Sequence, residues 1–289
     1  MQFTKLLTLA ALLLPLSILA EEKAIDLFDP SLSKWELFMG VPHSTVTGLP
    51  EGTPQAQDIK SGTPLGLNND PKKVFTTFAE NGATVLHISG EIYGGLTTKA
   101  DYGNYHFSAD FKWGEKRWEP RLKKIRDSGI LYHCHGKHGA FWNVWKSSLE
   151  YQVQETDLGD FYRIAGGRGH ARFRQGEKNA IFDPTAPLAI TPSRIEASAE
   201  PDKPRGEWNR LEIYVLGDSA IHLVNGVVVF AITQALDKNN QPLTAGQIQI
   251  QCEGAECFYR NVRLSPINAF PPEIATKAGL TTVPSVRDR

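Results

Sequence analysis

The chain has 289 residues, of which 31 are lysine or arginine and 32 are aspartate or glutamate, so its formal net charge is -1. A chain of this length suits one all-β domain as well as two smaller domains. Charges that nearly cancel, with no long basic stretch outside residues 115–126, argue against nucleic acid as a partner.

The first twenty residues predict a secretory signal peptide. Residues 1–20 contain one lysine near the start and an apolar run from Leu6 to Leu14, and a charged segment follows Ala20. That run is too short for a stable membrane span. An uncleaved anchor or a buried N-terminal helix is the alternative. We expect an exported protein, periplasmic or extracellular, that begins near Glu21 and has no membrane attachment after cleavage.

Apolar and polar residues alternate in short runs through the rest of the chain. The run 105–113 places one set of side chains on a single face: Tyr105, Phe107, Ala109, Phe111 and Trp113. Further runs of this kind are 128–135, 149–155, 210–217, 220–230 and 246–252. This period of two, with turns such as Asn225-Gly226, predicts a β-sandwich or barrel almost without long helices. Trp35, Trp113 and Trp208 lie in such runs and are predicted core residues.

Three segments lack the alternation. Residues 115–127 carry a charge run that predicts a solvated loop, or alternatively a wall beside a ligand groove together with nearby tryptophans. Residues 165–205 predict a long irregular excursion, functional or mobile. Residues 266–289 predict a tail that wraps the surface or is disordered.

The three cysteines raise the question of pairing. Cys252 and Cys257 flank four residues between two strand-like runs, so a hairpin would bring them opposite each other as a disulfide. Two small buried thiols are the alternative. Cys134 has no evident partner, and we interpret it as a packing residue.

A polar row lies within the run 149–155. Glu150, Gln152 and Gln154 occupy every second position, so in a strand they share one face while Leu149, Tyr151 and Val153 face a core. The simplest interpretation of such a row is a solvated surface. A row of glutamines is nevertheless an uncommon way to build a plain surface.

Seven motifs follow one another in order from Leu27 to Leu264: LFDPSLSKWEL, GGLTTKADYGNYHFSADFKW, RDSGILYH, LEYQVQETDLGDFY, GEWNRLEIYVLGDSAIHLVNGVVV, GQIQIQCEG and FYRNVRL. Together, in this order, they resemble the 3-keto-disaccharide hydrolase family. The resemblance implies a concanavalin-A-like jelly roll of two antiparallel sheets in one domain, residues 21–265, followed by the tail 266–289. It is weaker evidence for the reaction, because one fold hosts both lectins and enzymes.

In a jelly roll, one sheet forms a groove that can hold a sugar. Glu150, Gln152 and Gln154 are expected to line it, and His133 and His135 would join them if their strands are neighbours. The resemblance implies a substrate whose ring carbon 3 is a ketone, cleaved by base-catalysed elimination and hydration. Such a site needs one base, donors to the enolate oxygen and a proton source.

The expected roles follow from that chemistry. Glu150 or His133 would be the base, and the other would orient it or act as the acid. The remaining predicted substrate-binding residues are Gln152, Gln154, His135, Lys99, Asp157 and Trp142. Lys99 could instead be a solvated lysine, and Asp157 could be only part of a turn. The expected partners are a small carbohydrate and an oxidoreductase that forms the ketone.

Other functions stay open at this point. A non-catalytic, lectin-like module is the main alternative. An ordinary glycosidase is disfavoured because amides replace carboxylates in the row, although Glu155, Asp157 and Asp160 are near. We expect no metal or other cofactor; the His133-x-His135 pair as a transition-metal site, and calcium near Glu155, are the alternatives.

Overall fold

A computed structural model describes residues 23–280 of the chain. The predicted signal peptide lies outside the described residues. None of the helices in this part of the chain is long and apolar enough to cross a membrane.

Nineteen strands and one short helix make up the regular structure of the described residues. The strands are β1 Ile25–Asp26, β2 Trp35–Met39, β3 Gly66–Leu67, β4 Phe75–Glu80, β5 Ala83–Ile88, β6 Gly94–Thr98, β7 Tyr105–Arg117, β8 Asp127–His135, β9 Ser147–Gln154, β10 Phe161–Ile164, β11 Arg168–Gln175, β12 Ala180–Phe182, β13 Leu188–Ile190, β14 Arg194–Glu196, β15 Asn209–Leu216, β16 Ser219–Val224, β17 Val227–Leu236, β18 Gln247–Cys252 and β19 Ala255–Pro266. The helix, α1, spans Pro272–Lys277 in the predicted tail.

The strands form two facing sheets, which confirms the predicted jelly-roll sandwich. The back sheet has the order β17-β16-β15-β7-β19-β5-β4, with β1 beside β19. The front sheet has the order β3-β2-β6-β18-β8-β9-β10-β14-β12-β11. Neighbouring strands are antiparallel except β12 and β14, and β11 also pairs with β13 and β17.

The core lies between the sheets and follows the predicted alternation. Phe107 and Phe111 of β7 are fully buried, as are Leu149, Tyr151 and Val153 of β9. Across the two sheets, the Tyr151 hydroxyl donates to the Leu223 carbonyl oxygen of β16 at 2.9 Å. The predicted register of β9 is therefore confirmed, with its polar row on the outer face of the front sheet.

Two predictions about the chain outside the core are wrong. Residues 165–205 contain four strands, β11 to β14, because pairing with β10 and β17 satisfies their backbone groups at the edge of the front sheet. Trp208 is only partly buried. It precedes β15 on the outer face of the back sheet, where Lys112 and Arg260 lie over its ring at 4.6 and 4.0 Å.

The predicted disulfide between Cys252 and Cys257 is also wrong. All three cysteines are free, buried thiols, and the Cys252 Sγ donates to the Ile92 carbonyl oxygen at 3.1 Å. Cys252 ends β18 in the front sheet, whereas Cys257 lies in β19 of the back sheet. The short connection between them crosses from one sheet to the other, so the two residues do not face each other in a hairpin.

We expect three thiols to react with an alkylating reagent once the protein is unfolded without reductant, and none to react quickly while it is folded, because all three are buried. Intact mass spectrometry counts the added groups under each condition. A mass increase of only one group after unfolding would contradict this arrangement of the sheets.

Candidate active site

A cavity of about 280 Å³ opens on the outer face of the front sheet. Strands β8, β9, β10 and β18 form its floor, and two loops, one before β8 and one before β9, form its sides. The lining residues are Arg121, Asp127, Phe141, Trp142, Trp145, Glu150, Gln152, Gln154, Tyr162, Arg163, Ile164, Gln251 and Glu253. We call it the first cavity. Its mixture of aromatic rings, amides and carboxyl groups suits a polyhydroxylated ligand.

The polar row predicted on β9 lines this cavity. Glu150 and Gln152 are only 4% and 6% exposed, and Gln154 is half-buried. The Gln154 amide donates to Asp127 Oδ2 at 2.7 Å. A solvated surface would leave these side chains exposed, so the simple surface interpretation is excluded for this row.

A second polar row runs along β18 and was missed by the sequence analysis. Its members are Gln249, Gln251 and Glu253, and all three are buried. Gln251 and Glu150 meet above Gly129 of β8, where a Cβ atom would overlap both side chains. The glycine thus makes room for the two rows to touch. The alternation QIQIQCE was visible in the sequence, but we interpreted it only as a strand.

One arginine and two carboxylates form a buried ionic cluster at the edge of the cavity. Arg121 contacts Asp127 Oδ2 at 2.5 Å and Glu253 Oε1 at 3.1 Å. The arginine comes from the segment 115–127, so the alternative interpretation of that segment, a wall of the groove, holds for this residue. Trp118 does not line the cavity; its indole N–H donates to the Ser89 carbonyl oxygen.

The three carboxyl groups differ in how their charge is compensated. Burial raises the pKa of Glu150 well above its usual value, and the neighbouring Asp127 charge raises it further. Burial also raises the pKa of Asp127, but the Arg121 guanidinium opposes that rise. Burial and the Asp127 charge raise the pKa of Glu253. The pKa of Asp127 rises only to about 6, whereas the pKa values of Glu150 and Glu253 rise well above the usual value, so of the three groups Asp127 ionises most readily.

Aromatic rings form one wall of the cavity. The Phe141 and Trp142 rings stack with centroids 4.8 Å apart, and Trp142 and Trp145 lie 5.6 Å apart. Trp142 and Asn143 adopt left-handed backbone angles, φ 51° and 58°, which create a tight turn. The Asn143 amide donates to the Lys60 carbonyl oxygen at 2.8 Å and fixes that turn. Such faces pack against the C–H surface of sugar rings.

His133 does not lie where the sequence analysis expected it. Leu131 takes the position beside Glu150, and the pairing of β8 with β9 shifts between Tyr132 and His135. His133 has φ 53° within this shift, which turns its side chain away from the first cavity. It is 1% exposed, neither ring nitrogen has a hydrogen-bond partner within residues 23–280, and burial lowers its pKa to about 4. The prediction that His133 and Glu150 line the same groove is therefore wrong.

The remaining predicted site residues also lie apart from Glu150. Lys99 and His135 line a second cavity, of about 430 Å³, on the same sheet. Asp157 forms an ion pair with Arg194 at 3.1 Å, and Asp160 pairs with the same arginine. Of the residues predicted for substrate contact, Gln152, Gln154 and Trp142 share the first cavity with Glu150. No metal-binding group of three His, Cys, Asp or Glu side chains occurs in residues 23–280.

Comparison of the sequence with models of known protein families gives a match over most of the chain. The model of the 3-keto-alpha-glucoside-1,2-lyase-like domain matches residues 23–265. No curated protein matches the chain.

Solved structures resemble the chain only distantly. A candidate glycosyl hydrolase from Parabacteroides distasonis ATCC 8503 is 18% identical, over 70% of this chain and 87% of its own, with a TM-score of 0.43. A galectin-like protein of unknown function from Bacillus subtilis is 11% identical, over 86% and 96%, with a TM-score of 0.45. The carbohydrate-binding module CBM66 from Bacillus subtilis is 12% identical, over 66% and 91%, with a TM-score of 0.41. Likeness at this level says nothing about function.

We predict that Glu150→Gln stabilises the fold, and increasingly so as the pH rises. Folded Glu150 keeps a proton that the unfolded chain releases above its usual pKa of 4.5, so wild-type stability falls as the pH rises from there towards the raised folded pKa. Glutamine has no proton to lose. The melting temperatures of the wild type and of Glu150→Gln, measured between pH 4 and 8, test this. Each 1 kcal/mol added to the free energy of unfolding raises the melting temperature by roughly 2–4 °C.

Glu51→Gln, in an exposed loop, is the matched control for removal of one acidic group. Its melting temperature should follow the wild type at every pH. A Glu150→Gln curve that runs parallel to the wild type would show that Glu150 is ionised in the folded protein.

Proposed function

The chain belongs to the family of 3-keto-alpha-glucoside-1,2-lyase-like domains, and from that premise we propose that it cleaves 3-keto-glycosides in the first cavity. The observation that carries this proposal is a pair of buried carboxyl groups in one cavity: Asp127, which Arg121 contacts at 2.5 Å, and Glu150, which contacts no cation among the described residues. An elimination followed by hydration requires one acid and one base. Different surroundings give the two carboxyl groups different pKa values and hence these two roles.

The proposed reaction begins with the ketone on ring carbon 3, which acidifies the hydrogen on carbon 2. A base removes that hydrogen as a proton, and the electron pair forms an enolate. The enolate expels the glycosidic oxygen from carbon 1, and that oxygen takes a proton from an acid. Water then adds across carbons 1 and 2, with its hydroxyl on carbon 1 and a proton on carbon 2. The net result is hydrolysis of the glycosidic bond.

Glu150 is the proposed proton donor to the leaving oxygen. Its carboxyl group contacts no cation among the described residues, and burial keeps it protonated. Tyr162 of β10 lies directly beside it in register, and Gln251 lies above Gly129. A neutral carboxyl at this position can give up its proton where negative charge develops on the departing oxygen. Glu150 is therefore assigned as the acid, whereas the sequence analysis favoured it or His133 as the base.

Asp127 is the proposed base. Its Oδ2 atom receives contacts from Arg121 and Gln154, whereas its Oδ1 atom is buried and has no hydrogen-bond partner among the described residues. An unpaired carboxylate oxygen is a ready proton acceptor, and the arginine holds the group ionised. The same guanidinium offers positive charge towards an enolate oxygen in the cavity.

The rest of the cavity would position the sugar. Gln152 and Gln251 present amides that can bond hydroxyl groups, and the Gln251 Oε1 atom has no hydrogen-bond partner in the part of the chain that the structure describes. The Phe141 and Trp142 rings stack on each other and the Lys60 ammonium group lies over the Trp142 ring at 3.8 Å, so the sugar would meet this wall at the ring surface that they leave uncovered. A sugar held by these groups would present one defined C–H bond to Asp127. Fixing this orientation on binding lowers the entropic cost of reaching the transition state.

Two further proposals concern the surroundings of the reaction. The residues 1–20 favour export to the periplasm or the medium. The ketone must be made before cleavage, so an enzyme that oxidises the sugar hydroxyl on carbon 3 is the proposed upstream partner.

We predict that the purified protein releases the leaving group from a 3-keto-glucoside and leaves the unoxidised parent glucoside intact. Glu150→Gln and Asp127→Asn should each lower turnover by about two to four orders of magnitude, the range for a lost general acid or base. Product release measured by chromatography gives the rates, and Glu51→Gln serves as the control.

Two outcomes would contradict the proposal. Cleavage of the parent glucoside at a comparable rate would identify an ordinary glycosidase. Binding of both compounds without cleavage of either would identify a lectin-like module.

A further inference from the structure

The second cavity lies on the same outer face as the first cavity, at the opposite ends of the same strands. Strand β18 lines the second cavity through Gln247 and the first cavity through Gln251. Four residues at about 3.3 Å each separate these positions by roughly 13 Å. Gln249 lies between them and is fully buried, bonded to Thr97 and to the backbone N–H of Lys146. One continuous face therefore carries both cavities.

Lys146 is the unusual residue of the second cavity. Lys146 is 7% exposed, and its ammonium group donates to Gln247 Oε1 at 2.5 Å. No carboxylate of the described residues lies within 4.0 Å of that ammonium group. A buried charge with only a neutral partner is costly, and an ammonium group has three donors. The folded protein thus holds a shielded positive charge, with donors to spare, at a cavity wall.

One neighbour reinforces this positive character. Lys99 also lines the cavity, and its ammonium group donates to the Ser33 carbonyl oxygen at 2.8 Å. The His135 Nδ1 atom donates to the His133 carbonyl oxygen at 3.0 Å, so in the neutral ring Nε2 is a hydrogen-bond acceptor and adds no charge. Asp101 is the one carboxylate in the lining, and it is exposed to solvent. Two ammonium groups face one solvated carboxylate.

We propose that the second cavity is an anion-binding subsite, which takes a carboxylate, sulfate or phosphate group carried by a carbohydrate ligand. A neutral sugar would bond the spare donors but leave the Lys146 charge uncompensated. An anionic group would supply both the acceptors and the opposite charge, in a place where water screens the attraction weakly. The cavity of about 430 Å³ falls within the size range of small-ligand sites.

This inference rests on the proposed function only in taking the ligand to be a carbohydrate. It adds a substrate class: acidic or esterified sugars, with the anionic group at some distance from the bond that is cleaved. Binding measured without a ketone tests it separately from cleavage.

The experiment is calorimetric titration of the protein with glucuronate, glucose 6-sulfate, glucose 6-phosphate and glucose. At least one charged sugar should bind about tenfold or more tightly than glucose, which is the fold-change for a hydrogen bond to a charged group. The strongest of the three identifies the anion. Sodium sulfate and sodium phosphate are the probes for simple ions, and each should bind more weakly than the sugar that carries the same group.

Variants locate the effect. Lys146→Gln should lose about tenfold of the preference for the charged sugar over glucose, and Lys99→Gln should lose a smaller part. Lys178→Gln, in the exposed turn between β11 and β12, removes the same charge elsewhere and should change nothing. If Lys146→Gln does not fold, as judged by its melting transition, the comparison of Lys99→Gln with Lys178→Gln decides.

Three results would overturn the proposal. The first is equal affinity for glucose and for every charged sugar. The second is a preference for the charged sugar over glucose that survives in both Lys146→Gln and Lys99→Gln. The third is binding of sulfate or phosphate alone as tightly as the sugar that carries the same group. Glu150→Gln should keep the preference while losing cleavage. A failure of the proposed reaction and a failure of this subsite are therefore read in separate assays.

Discussion

The chemistry of the first cavity depends on the ion pairs that the Arg121 guanidinium makes with buried carboxyl groups. Three carboxyl groups, on Asp127, Glu150 and Glu253, are buried around it, and it contacts two of them. An isolated buried carboxylate is too costly to persist, so one guanidinium sets how many of the three can be ionised together. Burial raises the pKa of Glu150, and the charge that Arg121 holds on Asp127 raises it further, so Glu150 favours its neutral form. An acid and a base thus arise from similar side chains through their surroundings alone.

That arrangement in turn depends on the sandwich beneath it. Tyr151 fills the core behind Glu150 and bonds across to the back sheet, which fixes the rotation of β9 and hence the face on which the polar row lies. Gly129 and Gly95 leave space above β8 and β6 for the amides and carboxyl groups of the neighbouring strands; a Cβ atom at Gly95 would overlap Gln249. The core therefore determines where the polar groups point, and the glycines determine how closely they approach.

The sequence predicted those parts of the structure that depend on neighbouring residues. Alternation placed Glu150, Gln152 and Gln154 on one face, because successive side chains of a strand point to opposite faces of the sheet. Alternation could not place Arg121 or Asp127, since Arg121 reaches the cavity from a loop and Asp127 from the start of β8, a neighbouring strand. A local shift in pairing removed His133 from the site, and no pattern in its run shows that shift. Cys252 and Cys257 were misassigned for a related reason: alternation identifies two strands but not the sheets to which they belong.

The proposed reaction begins with removal of the hydrogen on carbon 2. The direct measurement uses a 3-keto-glucoside that carries deuterium at carbon 2, incubated with the protein in ordinary water and analysed by mass spectrometry at early times. An incubation without protein corrects for spontaneous exchange beside the ketone. We expect slower cleavage than with the unlabelled compound and a released sugar that has lost the label from carbon 2. Cleavage at an unchanged rate with the label retained would mean direct displacement at carbon 1 and would rule out the elimination.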